Sequence, residues 1–80
     1  MARLDFRVRD DGTVFTPPQV RALETLGLAL DADRKALRMH YAALVRRYHP
    51  DRNGGDRSHE ARLQRVIAAY QLLRELAVFR

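Results

Sequence analysis

The feature that most restricts this 80-residue chain is the abrupt end of a helix-periodic run at Pro50. Leu37, Tyr41, Leu44 and Tyr48 recur at intervals of four, three and four, which places them on one helical face. Pro50 disfavours helical backbone at His49, so that helix is predicted to stop near Tyr48. Asn53-Gly54-Gly55-Asp56 then supplies turn chemistry. A second periodic run follows, in which Leu63, Val66, Ile67, Tyr70 and Leu73 share a face. It is predicted to begin after Asp56 or Ser58, either of which suits an N-cap. Two long helices joined by so short a loop pack antiparallel. The expected fold class is all-α: a helical hairpin with His49-Pro50-Asp51 at its exposed tip.

A short helix should lie across that hairpin. Thr16 can cap it, Pro17 suits its first position and Gln19 can complete a capping box. The helix should run from about Pro17 to Leu26 with Val20, Leu23 and Leu26 inward, and Gly27 should end it. For the following helix Asp31 is the expected cap, with Asp33 in the favourable field of its N-terminal end. Residues 1–15 form a separate extension before a unit at 16–80. Leu4, Phe6 and Val8 alternate with polar residues, and Asp11-Gly12 offers a turn before Thr13-Val14-Phe15. That pattern fits a short β-hairpin or a loose tail. Leu72, Leu76 and Phe79 form a second apolar stripe that needs cover, from Leu4, Phe6 and Val8 or from a partner.

Several function classes drop out on composition. With no cysteine there is no disulfide and no thiolate metal site. No apolar run approaches the ~20 residues that cross a bilayer, and no signal-peptide core follows Met1, so a cytoplasmic protein is expected. His40 and His59 are expected at the surface outside any ligand cluster, and Tyr41, Tyr48 and Tyr70 as core residues with a polar tip. His49 and Asp51 have no nucleophile or evident pocket beside them, so no enzyme is predicted. Fifteen basic against ten acidic residues give a net charge of +5, and Lys35 is the only lysine. Arginine favours bidentate contact with carboxylates or phosphates, so the charge points to an acidic protein surface or to nucleic acid. Asp51 and Asp56 would repel phosphates and no recognition helix is obvious, which disfavours a small basic nucleic-acid-binding domain but keeps it as an alternative.

At the tip, Pro50 fixes φ and restricts His49, which lowers the ordering cost when a partner arrives. Asp51 can accept a charge-assisted hydrogen bond from a partner arginine. Here the chain resembles the J domain of DnaJ-type co-chaperones, over about Ala22 to Leu73 without an evident gap. The resemblance rests on Leu23-Glu24-Thr25-Leu26-Gly27-Leu28, Tyr41, Leu44, Tyr48-His49-Pro50-Asp51-Arg52-Asn53, Gly55-Asp56, Val66 and Ala69-Tyr70-Gln71-Leu72-Leu73.

The resemblance implies a partner, a DnaK-class heat-shock chaperone ATPase whose hydrolysis is stimulated on docking. It implies His49, Pro50 and Asp51 as the signalling loop, flanked by Arg52 and Asn53. Arg38 would belong to the basic docking face, with Lys35, Arg46 and Arg47 keeping its neighbourhood positive. ATP and magnesium would belong to the partner, so no cofactor is expected on this chain, and a monomer is expected. Departures from the family pattern are Ala42 and Ala43 in place of a basic pair, and Leu63 in place of a common Phe. The fourth helix, the Gly/Phe-rich linker and a client-binding domain are also expected to be missing. An inactive, tethering version of the module is the second alternative.

Overall fold

A computed structural model describes residues 6–52 and 54–80. Strands β1 (Arg7–Val8) and β2 (Val14–Phe15) precede helices α1 (Pro17–Thr25), α2 (Arg34–Tyr48) and α3 (Glu60–Arg74), and a single 3-10 turn spans Ala77–Phe79. The N-terminal segment is thus a hairpin. Its strands pair antiparallel, with Arg7 opposite Phe15 and Val8 opposite Val14. The turn closes because Gly12 takes φ +89° and the Asp11 carboxylate accepts from the Thr13 N–H at 2.9 Å. Hydrogen bonding from Thr13 also holds the Asp11 carboxyl below its ordinary value.

The pleat decides which hairpin residues are buried. Residues directly opposite share a face, so Phe15 and Arg7 lie on one side and Val8 and Val14 on the other. Phe15 is fully buried and meets Phe79 with ring centroids 6.3 Å apart. Phe6 and Val8 are instead 45% and 61% exposed, so they do not cover the second stripe of α3. Phe15 covers its Phe79 end, while Leu72 stays exposed; Leu4 lies outside the described residues. Arg9 fastens the hairpin to the helices by donating to the Ala32 carbonyl at 3.2 Å.

Helix α1 starts as its sequence requires: Gln19 Oε1 accepts from the Thr16 N–H at 2.9 Å, behind Pro17. It ends at Thr25 in a Schellman arrangement. The Leu28 N–H donates to Leu23 O at 2.8 Å and the Gly27 N–H to Glu24 O at 3.0 Å, with Gly27 at φ +67°. Asp33, not Asp31, caps α2, accepting from the Ala36 N–H at 2.8 Å. The shift follows from Ala32, which is buried and closes a turn onto Ala29, leaving Asp31 one step too early. Neither Asp56 nor Ser58 caps α3, because His59 occupies that position. Asp56 is already engaged, accepting from the Ser58 N–H at 2.9 Å and from its hydroxyl at 3.1 Å.

Helices α2 and α3 pack antiparallel. Tyr41 stacks on Tyr70 with centroids 3.9 Å apart, and Tyr48 meets His59 at 5.3 Å, so positions rise along one helix as they fall along the other. Helix α1 packs on α3, and Leu26, Leu37 and Leu73 join Phe15 as the most deeply buried large side chains. His40 is exposed, as expected, while His59 is half-buried, and each makes a contact between elements. The His40 ring nitrogen Nδ1 lies 2.8 Å from the Leu26 carbonyl and ties α2 to the end of α1. Among the described residues no helix is long and apolar enough to cross a membrane.

Candidate functional site

The site is the link between the two longest helices. His49 ends α2 in extended backbone, φ −67° and ψ 134°, as a residue before proline must. Its N–H still donates to Val45 O at 2.9 Å, so the helix runs intact up to the bend. After Pro50 the chain folds back on itself. The Arg52 N–H donates to His49 O at 3.1 Å, and the Gly55 N–H to Pro50 O at 2.7 Å. Gly54 and Gly55 sit at φ +63° and +84°, where a side chain would be strained. A rigid proline on one side and two left-handed glycines on the other hold the tip in shape.

Within that frame Asp51 points outward, its side chain 93% exposed, against 46% for His49. The Asp51 N–H donates to His49 Nδ1 at 3.2 Å, which makes Nδ1 an acceptor and leaves the ring proton on Nε2. His49 Nδ1 stands 3.8 Å from an Asp51 carboxylate oxygen, beyond hydrogen-bond reach. The imidazole thus orients the backbone of Asp51 and leaves its carboxylate largely available. Just beyond, the hydrogen bonds from Ser58 hold the Asp56 carboxyl below its ordinary value.

The predicted basic residues fall into two groups. Arg46, Arg47 and Arg52 line one concavity with Ala43, directly beside the tip. The Arg47 guanidinium also lies 5.7 Å from the centre of the Tyr48 ring. Lys35 and Arg38 line a separate groove with Arg34 and Met39. Eight residues of helix separate Arg38 from Arg46, about 12 Å at the α-helical rise. Asn53 lies outside the described residues. No group of three or more His, Cys, Asp or Glu among the described residues is placed to hold a metal ion. What the sequence did not reveal is the aromatic support beneath the tip, the packing of His59 on Tyr48. A His three residues after Asp56 carries no helical periodicity to mark it.

Comparison with known proteins converges on the same stretch. A family model described as the DnaJ domain matches residues 22–77. An uncharacterized 19.0 kDa protein from the region 5′ of cobS in a Sinorhizobium species is 47% identical over 57 residues, 71% of this chain and 33% of that protein. The chaperone protein DnaJ of Nitrosomonas europaea is 44% identical over 50 residues, 62% of this chain and 14% of that protein. Protein NolC of Rhizobium fredii is 42% identical over 52 residues, 65% of this chain and 13% of that protein. The chain therefore spans no more than about a third of the curated relatives it matches. No solved structure gives a significant match.

Proposed function

Because the chain belongs to the DnaJ domain family, we propose that it is a J-domain co-chaperone. On this reading it docks as a monomer on a DnaK-class chaperone in the cytoplasm and accelerates that partner's ATP hydrolysis. The observation that carries the reading is an exposed Asp51 carboxylate on a proline-stiffened tip, in a chain of this family. ATP and magnesium belong to the partner, and this chain supplies no group to the phosphates. Its contribution is a preorganised contact. An arginine of the partner donates to Asp51, a charge-assisted bond worth about 1.5–3 kcal/mol. Arg46, Arg47 and Arg52, with Asn53, approach acidic groups around that contact. Lys35 and Arg38 extend the positive face along α2 and steer the encounter.

The test is single-turnover ATP hydrolysis by a DnaK-class chaperone from the same organism, with and without this chain. Acceleration that rises with concentration and saturates supports the reading. Saturable binding without acceleration would make the chain a tether; Ala42 and Ala43, where the family commonly carries a basic pair, are the feature that favours that outcome.

A further inference from the structure

Packing along the helical hairpin is uneven. Phe15, Leu26, Leu37 and Leu73, the most deeply buried large side chains, gather at the end away from the tip, where α2 begins and α3 finishes. At the tip end Leu63 is buried, but Leu44 and Tyr48 are only half-buried. Leu63 also stands where the family commonly carries Phe, so that end lacks the aromatic side chain usual there. His59 brings a ring to the same end. It sits at the N-cap of α3, half-buried, with its ring centroid 5.3 Å from that of Tyr48 and the two planes tilted by 44°. Its side chain makes no capping hydrogen bond, and its ring nitrogens bond to no described residue. The ring packs and does not bond. Tyr48 is the last residue of α2 and His59 directly precedes α3, so their contact joins the two stems of the link formed by residues 49–59. The guanidinium of Arg47, on the proposed docking face, lies 5.7 Å from the centre of the same Tyr48 ring.

We infer that His59 is a positioning residue: its ring clasps Tyr48 and holds the stems of the link at the spacing that keeps the His49-Pro50-Asp51 tip in shape. The inference rests on the co-chaperone reading and adds to it how the tip is held ready. Pro50 and the turn bonds from Arg52 and Gly55 fix the loop from within. They do not fix where its two ends stand. Gly54 and Gly55 give no help, since nothing lies within 4 Å of where a Cβ of either would be. The clasp supplies that restraint beside the residue that leads into His49. Tip geometry then sets the fraction of molecules ready to dock, and apparent affinity for the partner falls in proportion to that fraction. An aromatic pair is worth about 2- to 12-fold in such an equilibrium. Acceleration in the docked complex depends on Asp51 itself, so the clasp acts on affinity alone. A rival role is electrostatic, because a charged His59 favours the ionised form of the nearby Asp56 carboxyl. Replacing the imidazole with a phenyl ring separates the two.

The test compares the parent chain with His59→Ala, His59→Phe and Val20→Ala. Neither change at His59 removes a capping bond. Val20 is buried in α1, outside the helical hairpin, so its truncation lowers stability and leaves the clasp alone. In the chain by itself, NMR relaxation of the backbone amides reads the order of Asp51 and Arg52. That order should fall in His59→Ala and stay at the parent's level in His59→Phe and Val20→Ala. In single-turnover hydrolysis by the DnaK-class partner, the half-saturating concentration should rise about 2- to 12-fold for His59→Ala, with the rate at saturation unchanged. The other two variants should match the parent. Parent-like order at Asp51 or an unmoved half-saturation in His59→Ala would overturn the proposal. So would an equal loss in His59→Phe, which would assign the role to charge, or in Val20→Ala, which would assign it to general stability. If the parent itself gives no acceleration, the co-chaperone reading fails, and the order at Asp51 still decides whether the clasp holds the tip.

Discussion

Replacing Phe15 with Ala should loosen the whole helical unit, although Phe15 stands in the short hairpin before the first helix. The side chain is fully buried, and it packs on Phe79, itself 3% exposed. Truncating a buried Phe removes its transfer free energy and leaves a cavity, together about 3–5 kcal/mol. A chain of this size is stable by roughly 4–12 kcal/mol, so the loss is a large share of the total. At roughly 4–8 °C per kcal/mol for a small domain, the melting temperature should fall by at least ~12 °C. The assay is urea and thermal unfolding followed by helical circular dichroism, with Val8→Thr as the comparison on the exposed face of the same hairpin. Val8→Thr should stay within about 0.5 kcal/mol of the parent. In a double-mutant cycle, Phe15→Ala and Phe79→Ala should couple by about 0.5–1.5 kcal/mol. If Phe15→Ala costs no more than Val8→Thr, the hairpin does not pack on the helices and the burial assigned to it is wrong.

Asp33→Ala should cost about 1 kcal/mol through loss of the α2 cap, whereas Asp31→Ala should be nearly neutral; denaturant midpoints distinguish them. Asp56 has a folded-state pKa below its unfolded value, so its bonds to Ser58 contribute stability above the unfolded pKa, and that contribution fades as pH falls through the folded one. Ser58→Ala removes the hydroxyl bond but keeps the larger one from the backbone N–H, so it should raise the Asp56 pKa only part of the way toward 3.8, read by NMR titration of the carboxyl carbon; an unmoved pKa would reject the hydroxyl as a cause. Arg46→Glu with Arg47→Glu should weaken docking on the DnaK-class partner about 10-fold or more and flatten its salt dependence, measured by calorimetry at two ionic strengths.

The hairpin of helices was legible because two independent signals agreed. The Leu37–Tyr48 face carries the helical period, and Pro50 followed by Gly54-Gly55 can only be a bend. The position of His49-Pro50-Asp51 at the tip follows from the same two signals. Other features depended on tertiary context. Asp31 and Asp33 are equivalent as candidate caps, and the burial of Ala32 between them decides which one serves. The alternation of Leu4, Phe6 and Val8 suggested an inward face, yet strand pairing gave the inward place to Phe15.

The measurement closest to the central claim is single-turnover ATP hydrolysis by the DnaK-class partner with the parent chain and with Asp51→Asn. The substitution removes a charge and keeps the shape of an exposed side chain, so helical circular dichroism should not change. Loss of a charge-assisted hydrogen bond of about 1.5–3 kcal/mol corresponds to roughly 10- to 150-fold, enough to abolish most of the stimulation. Stimulation by Asp51→Asn equal to that of the parent would contradict the account.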